Sequence, residues 1–135
     1  RPRPGCRFRV ECERAVTRLI EDSLLGQLQD ALSFGGDEHR MEDVLDIIRS
    51  GDAQMWTEKD AVLITEVLDQ PQCRVLHFWL AAGVLQDVVA LSHQVMDWGR
   101  RQGCTRATLH GRRGWLRALR DEGWHEQGVI MGREL

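Results

Sequence analysis

The stretch Arg74–His110, RVLHFWLAAGVLQDVVALSHQVMDWGRRQGCTRATLH, decides the fold. It opens on Arg74–Leu80, a run rich in β-branched and aromatic residues that reads as a strand. Val84–Gln102 follows with Leu85, Val88, Val89, Ser92, Val95 and Met96 on one helical face, and Gly103 stops it. Thr105–His110 then reads as a short strand. A helix of that length between two strands lets them run parallel. Just upstream, Ala53–Thr57 and Ala61–Leu68 read as strands separated by Glu58–Asp60, and Asp69–Gln72 turns the chain into Arg74. Connections that short require an antiparallel meander. The expected fold is therefore α/β, with a mixed sheet of an antiparallel meander plus one parallel pair, flanked by helices.

Working outward, the opening RPRPGCRFR reads as an extended lead-in over residues 1–10. A helical segment covers 11–50. Its first helix, about Glu11–Leu32, carries Val16, Leu19, Ile20, Leu24, Leu28, Ala31 and Leu32 on one stripe, with Gly26 as a place to bend or break. Gly35 and Gly36 end it. A second helix puts Met41, Val44, Leu45 and Ile48 on one face, with Asp37, Glu38, Glu42 and Asp43 in its first turns and Gly51 as its left-handed cap. Past His110, Arg112–Glu122 reads as a helix with Trp115, Leu116 and Leu119 inward, stopped by Gly123. Trp124–Met131 reads as a final strand. Residues 51–135 thus hold the sheet and core helices of a single domain spanning 1–135.

Composition narrows the function. A hydrophobic share of 42% and a charged share of 29% are those of a globular chain. The net charge of −3 argues against nucleic acid or a membrane surface as the main partner. No apolar run is long enough to span a bilayer and no signal-peptide pattern opens the chain, so the expected location is cytoplasmic. Whether the true start precedes Arg1 is open. Cys6, Cys12, Cys73 and Cys104 form no CxxC pair, and only Cys73 and His77 approach zinc-ligand spacing. Free thiols and no metal are expected. Neither a Ser-His-Asp triad pattern, a P-loop nor a dinucleotide fingerprint occurs.

The order of elements resembles the GNAT N-acetyltransferase superfamily, over about residues 51–135. In that family three antiparallel strands precede a central helix, and the strand after it runs parallel to the strand before it. These two strands splay apart and hold acyl-CoA between them. Gly111–Trp124, GRRGWLRALRDEGW, is similar to the family's next helix, with Gly123-Trp124 at its end. Shorter blocks resemble small divergent GNAT-like proteins of tailed bacteriophages and prophages: Gly51–Trp56, Ile64–Val67, Trp79–Gly83, Gly103-Cys104 and Gly111–Trp115. The resemblance implies acetyl-CoA or another acyl-CoA as cofactor and an amine as acceptor. It also implies a phage or host protein as partner, and a host-cell or virion-associated location. The alternative it implies is a non-catalytic GNAT-fold virion or interaction protein.

A helix N-terminus attracts phosphate through its unpaired N–H groups, and Gly83 lets an anion approach the backbone. The cofactor is therefore expected over Ala81, Ala82, Gly83, Val84, Leu85 and Gln86. The loop departs from the family pattern, with one glycine, no arginine and Asp87 in the first turn. Leu119 stands where many members carry a tyrosine acid, and the chain has no Tyr. Glu66, His77 and His110 are the candidate bases, since their strands border the cleft; each also has a plain structural or solvated reading. Arg100, Arg101, Arg106, Arg112, Arg113, Arg117 and Arg120 make either an anion site or a solvated basic face. With the acidic second helix they give the molecule oppositely charged ends, which suits self-association. Among the five tryptophans, Trp98 lies off its helix's stripe, as an exposed anchor or a partly buried one.

Overall fold

The structure, a computed structural model, describes residues 24–135. The expected lead-in, the first turns of the long N-terminal helix, Cys6 and Cys12 lie outside the described residues. Helix α1 (Leu24–Phe34) buries Leu24, Leu28 and Leu32, an i, i+4, i+8 stripe. Gly26 does not break it; the glycine faces open space within the helix. The chain turns at Gly35–Asp37, where Asp37 takes φ +55°. Asp37 and Glu38 thus belong to the connection rather than to the next helix, because the left-handed residue ends one helix before another begins. Helix α2 (Met41–Ser50) starts where the Asp43 carboxylate accepts the Arg40 N–H at 2.8 Å, and ends at Gly51 with φ +90°.

Strands β1 (Gln54–Glu58), β2 (Ala61–Asp69), β3 (Arg74–Gly83) and β4 (Arg106–Leu109) form one sheet in the order β1-β2-β3-β4. The first three are antiparallel neighbours and β3–β4 is parallel, as the short turns and the long intervening helix require. That helix, α3 (Leu85–Arg101), buries Val88, Leu91, Val95 and Gly99. Its inner stripe is rotated from the expected one: Leu91 is buried, while Leu85 is exposed beside the helix start. Helix α4 (Arg113–Leu119) and a 3-10 turn (Arg120–Glu122) follow, and Gly123 closes them with φ +86°.

The sheet has a core on each face. On one side Val62, Ile64, Leu80 and Ala82 pack under α1 and α2; on the other Leu63, Leu76 and Phe78 pack under α3. Each such side chain contributes about 1.5–3 kcal/mol on leaving water. Helix α3 lies close to the sheet at Gly99, where an added Cβ would come within 2.8 Å of Leu76 Cδ2. All five tryptophans are partly buried. Trp98, off the stripe, packs edge-on to Trp56 at 5.0 Å, and the Trp56 indole N–H donates to Thr65 Oγ1 at 2.9 Å.

The expected final strand over Trp124–Met131 does not form. Trp124 packs edge-on to Phe78 at 5.8 Å, but residues 125–135 are exposed and have neither helix nor strand. Strand-favouring residues such as Val129 and Ile130 make a strand only when paired, and here neither finds an edge. No helix among the described residues is long and apolar enough to cross a membrane.

Gly83 locks the end of β3. It has φ +117°, and an added Cβ would lie 1.9 Å from the Asp60 carbonyl oxygen. Gly83→Ala is therefore expected to lower the free energy of urea unfolding by about 3 kcal/mol or more, through backbone strain and overpacking together. A loss under about 1 kcal/mol, typical of surface positions, would show the contact to be soft.

Candidate functional site

Two features of β3 create the site. First, the pairing register slips between Ile64 and Thr65: Ile64 faces Leu80 but Thr65 faces Phe78. Trp79 is the extra residue, and such a bulge bends its strand. Second, β3 pairs with β4 only from Val75 to Phe78, opposite Arg106 to Leu109. Trp79–Gly83 run on with no strand beside them on that edge. The gap opens into a cavity of about 280 Å³. Its walls come from α1 on one side, α3 and α4 on the other, and the parted strands between.

The wall residues are mostly apolar. Phe78, Leu80, Ala81, Val88 and Leu109 contribute, and Leu119 is buried there. At one end of the cavity Gln27 of α1 accepts the Gly83 N–H at 3.0 Å. At the other, the Arg112 guanidinium sits 5.2 Å above the Phe34 ring. Gln27 and Phe34 are seven residues apart on one helix, about 10 Å along its axis.

The start of α3 adjoins the Gln27 end. Its N-cap is Val84, in extended conformation and exposed, with no side-chain hydrogen bond to the helix. A valine has no acceptor to offer, so side-chain capping leaves the first N–H groups of α3 to solvent or a ligand. Of the six expected cofactor residues, Ala81 lines the cavity, Ala82 is buried beneath α1 and α2, and Val84, Leu85 and Gln86 are exposed at the helix start. The geometry gives Gly83 a role the sequence did not reveal, close packing against Asp60.

The three candidate bases are close together but not equivalent. Glu66 of β2 stands opposite His77 of β3, and His77 opposite Thr108 of β4, so the three share one face. His77 Nδ1 lies 2.8 Å from Thr108 Oγ1, and its ring meets His110 edge-on at 4.8 Å. Burial, aided by His110, pushes the His77 imidazole down to about 4. Burial raises the Glu66 carboxyl above its ordinary value, against His39, which lowers it. Among the three, only His110 borders the cavity.

The sequence did not single out Gln27, Asp30 or Phe34 of α1, which all line the cavity. Their spacing of three and four residues, beside the buried leucine stripe, was the available signal. The bulge at Trp79 also escaped. The seven arginines from Arg100 to Arg120 are all exposed, and Arg112 alone of them lines the cavity. Among the described residues no group of three or more His, Cys, Asp or Glu is placed to hold a metal ion. Cys104 is buried and Cys73 half-buried.

Solved structures share this architecture. An aminoglycoside acetyltransferase from an uncultured soil metagenomic sample, in complex with sisomicin, superposes with a TM-score of 0.62 at 11% identity, over 94% of this chain and 91% of that one. A second soil-metagenome aminoglycoside acetyltransferase gives 0.60 at 14% identity, over 88% and 91%. An acetyltransferase of Trypanosoma brucei gives 0.57 at 13% identity, over 84% and 94%. The fold is GNAT-like. No protein-family model matches the sequence. No curated protein matches it either.

His77 carries a testable pH dependence. Between about pH 4 and 6.5 the unfolded chain holds a proton on this histidine that the native protein does not, so stability falls as pH falls through that window. The loss is up to about 3 kcal/mol. Glu66 acts with the opposite sign, so the comparison is made against His77→Gln, which retains Glu66. Urea unfolding of the native protein is expected to weaken more steeply from pH 7 to pH 4 than that of the variant; equal slopes would refute the assignment.

Proposed function

We propose that this protein is an acyl-CoA-dependent N-acyltransferase, with the cofactor in the gap between β3 and β4 and an amine as acceptor. The observation that carries the reading is the coincidence of three features at one place. A strand edge past Phe78 has no neighbour, an apolar cavity opens beside it, and an uncapped helix start lies at its mouth. The GNAT-like fold supports it.

The residues present fit such a cofactor in three respects, the third against an opposing charge. The open edge of β3 offers main-chain donors and acceptors to the amides of a pantetheine arm. The cavity walls suit its apolar length. The helix start suits a diphosphate, with Asp87 in the first turn opposing it and Gly83 already satisfied by Gln27. When bound, an acyl-CoA supplies a thioester acyl group: the amine nitrogen bonds to the carbonyl carbon, the C–S bond breaks, and the thiolate leaves to be protonated.

His110 is the base in this reading, because it borders the cavity and an amine there lies within its reach. His77 is a positioning residue. Its neutral ring, held against Thr108, braces His110 from behind without adding a second positive charge. Leu119 has no proton to offer a leaving thiolate, so its part is to line the apolar wall. Holding amine and thioester together supplies the larger part of the rate gain. The phage origin and virion role implied by the short sequence blocks have no observation in the fold to favour them.

Val84→Asp tests the cofactor site without breaking the fold. Aspartate at an extended, exposed N-cap is expected to stabilise the protein by about 1 kcal/mol. The same carboxylate occupies the helix N–H groups and repels a diphosphate. Calorimetric titration with acetyl-CoA is expected to show saturable binding to the native protein and at least roughly tenfold weaker binding to the variant, an energy difference of about 1.4 kcal/mol. No heat from the native protein at millimolar acetyl-CoA would end the acyltransferase reading.

A further inference from the structure

Aromatic rings are concentrated on this cavity. The chain has five tryptophans and three phenylalanines, and Phe34, Phe78, Trp79, Trp115 and Trp124 all line it. Among the described residues a single carboxylate, Asp30, is on the wall. Asp30 lies between Gln27 and Phe34 on α1. It therefore stands inward of the Arg112–Phe34 end of the cavity, on the way to the cofactor end.

Resting on the acyltransferase reading, we infer that the acceptor is a small arylalkyl monoamine, its ring held among the tryptophans and its ammonium by Asp30. Aromatic faces carry negative potential, so they attract an ammonium and disfavour a carboxylate. That favours an amine over the corresponding amino acid everywhere inward of Arg112, the one guanidinium on the wall, which lies over the Phe34 ring at the other end of the cavity from Gln27. A flat ring stacks or meets these walls edge-on in a way that an alkyl or sugar body does not. One wall carboxylate neutralises one ammonium. A second ammonium on the same molecule would lie against apolar wall with no partner, which is costly. The volume points the same way: about 280 Å³ lies just below the usual range for ligand cavities, which favours a small acceptor.

The arrangement also delivers the amine to the chemistry. Gly111 is tight against the Trp115 indole, where an added Cβ would lie 3.0 Å from Cδ1. That contact fixes the tryptophan next to His110. An ammonium drawn in by Asp30 must lose a proton before it can attack a carbonyl, and His110 borders the same space.

The test is direct binding, measured by calorimetry on the full chain with no acyl donor present. The probes are 2-phenylethylamine, tryptamine, 2-phenylethanol, phenylalanine and an aminoglycoside, the last because two similar structures are aminoglycoside acetyltransferases. Phenylethylamine and tryptamine are expected to bind at least tenfold more tightly than the other three. Asp30 is exposed, so Asp30→Asn leaves the fold intact, as a melting curve verifies; it is expected to erase the preference for phenylethylamine over phenylethanol. Trp115→Leu is expected to weaken tryptamine at least tenfold while leaving Asp30's charge in place. Tighter binding of the aminoglycoside or of phenylalanine, or an unchanged preference in Asp30→Asn, would overturn the inference. The same sample titrated with acetyl-CoA separates the two readings. Acetyl-CoA bound with no arylalkyl amine bound sinks the acceptor assignment alone. Amine bound with no acetyl-CoA bound sinks acyl transfer and leaves an amine site.

Discussion

Backbone pairing between β3 and β4 stops after Phe78, and the rest of the site depends on that stop. A parallel pair extended to Gly83 would satisfy the strand edge and close the space between α1 and α3. Instead the bulge at Trp79 bends β3, β4 ends at Leu109, and the chain leaves the sheet through His110 and Gly111. Unpaired main-chain groups are tolerated in a folded protein only where water or a ligand reaches them. An open strand edge inside a largely apolar cavity leaves main-chain groups for water or a ligand to meet.

Around that opening the polar groups are divided between two roles. Glu66, His77 and Thr108 form a row across three adjacent strands, where pairing fixes their positions and burial suppresses charge on His77. Row members are brace rather than lining. His110, one step beyond the paired part of β4, is free of the ladder and reaches the cavity. Residues at such places, on a connection held by a rigid sheet, are those a fold most readily gives to a site.

Several parts of this were legible in the residues. The meander followed from turns too short for any other connection, and the parallel pair from a helix long enough to cross over. The leucines of α1 and the valines of α3 announced their buried faces by spacing. Misreadings share one cause, which is that local preference was taken for pairing or facing. Trp124–Met131 has strand-favouring residues but no partner edge. Leu85 fits an apolar stripe but sits in the first turn, where α3 projects past its packing against the sheet. At Gly83 the residues showed a helix start but not the Asp60 backbone that an added Cβ would meet.

The sequence by itself determined the class of fold, the order of elements, and the position of a helix start after a strand at Gly83. Those follow from periodicity and turn length, which are properties of neighbours along the chain. Only the tertiary structure decided which residues face the gap. Gln27, Asp30 and Phe34 meet residues of β3 and of the β4–α4 connection because α1 lies across the parted strands, more than fifty residues away in sequence. Such contacts arise from the packing of a helix on a bent sheet edge, and no local pattern encodes where that edge will open.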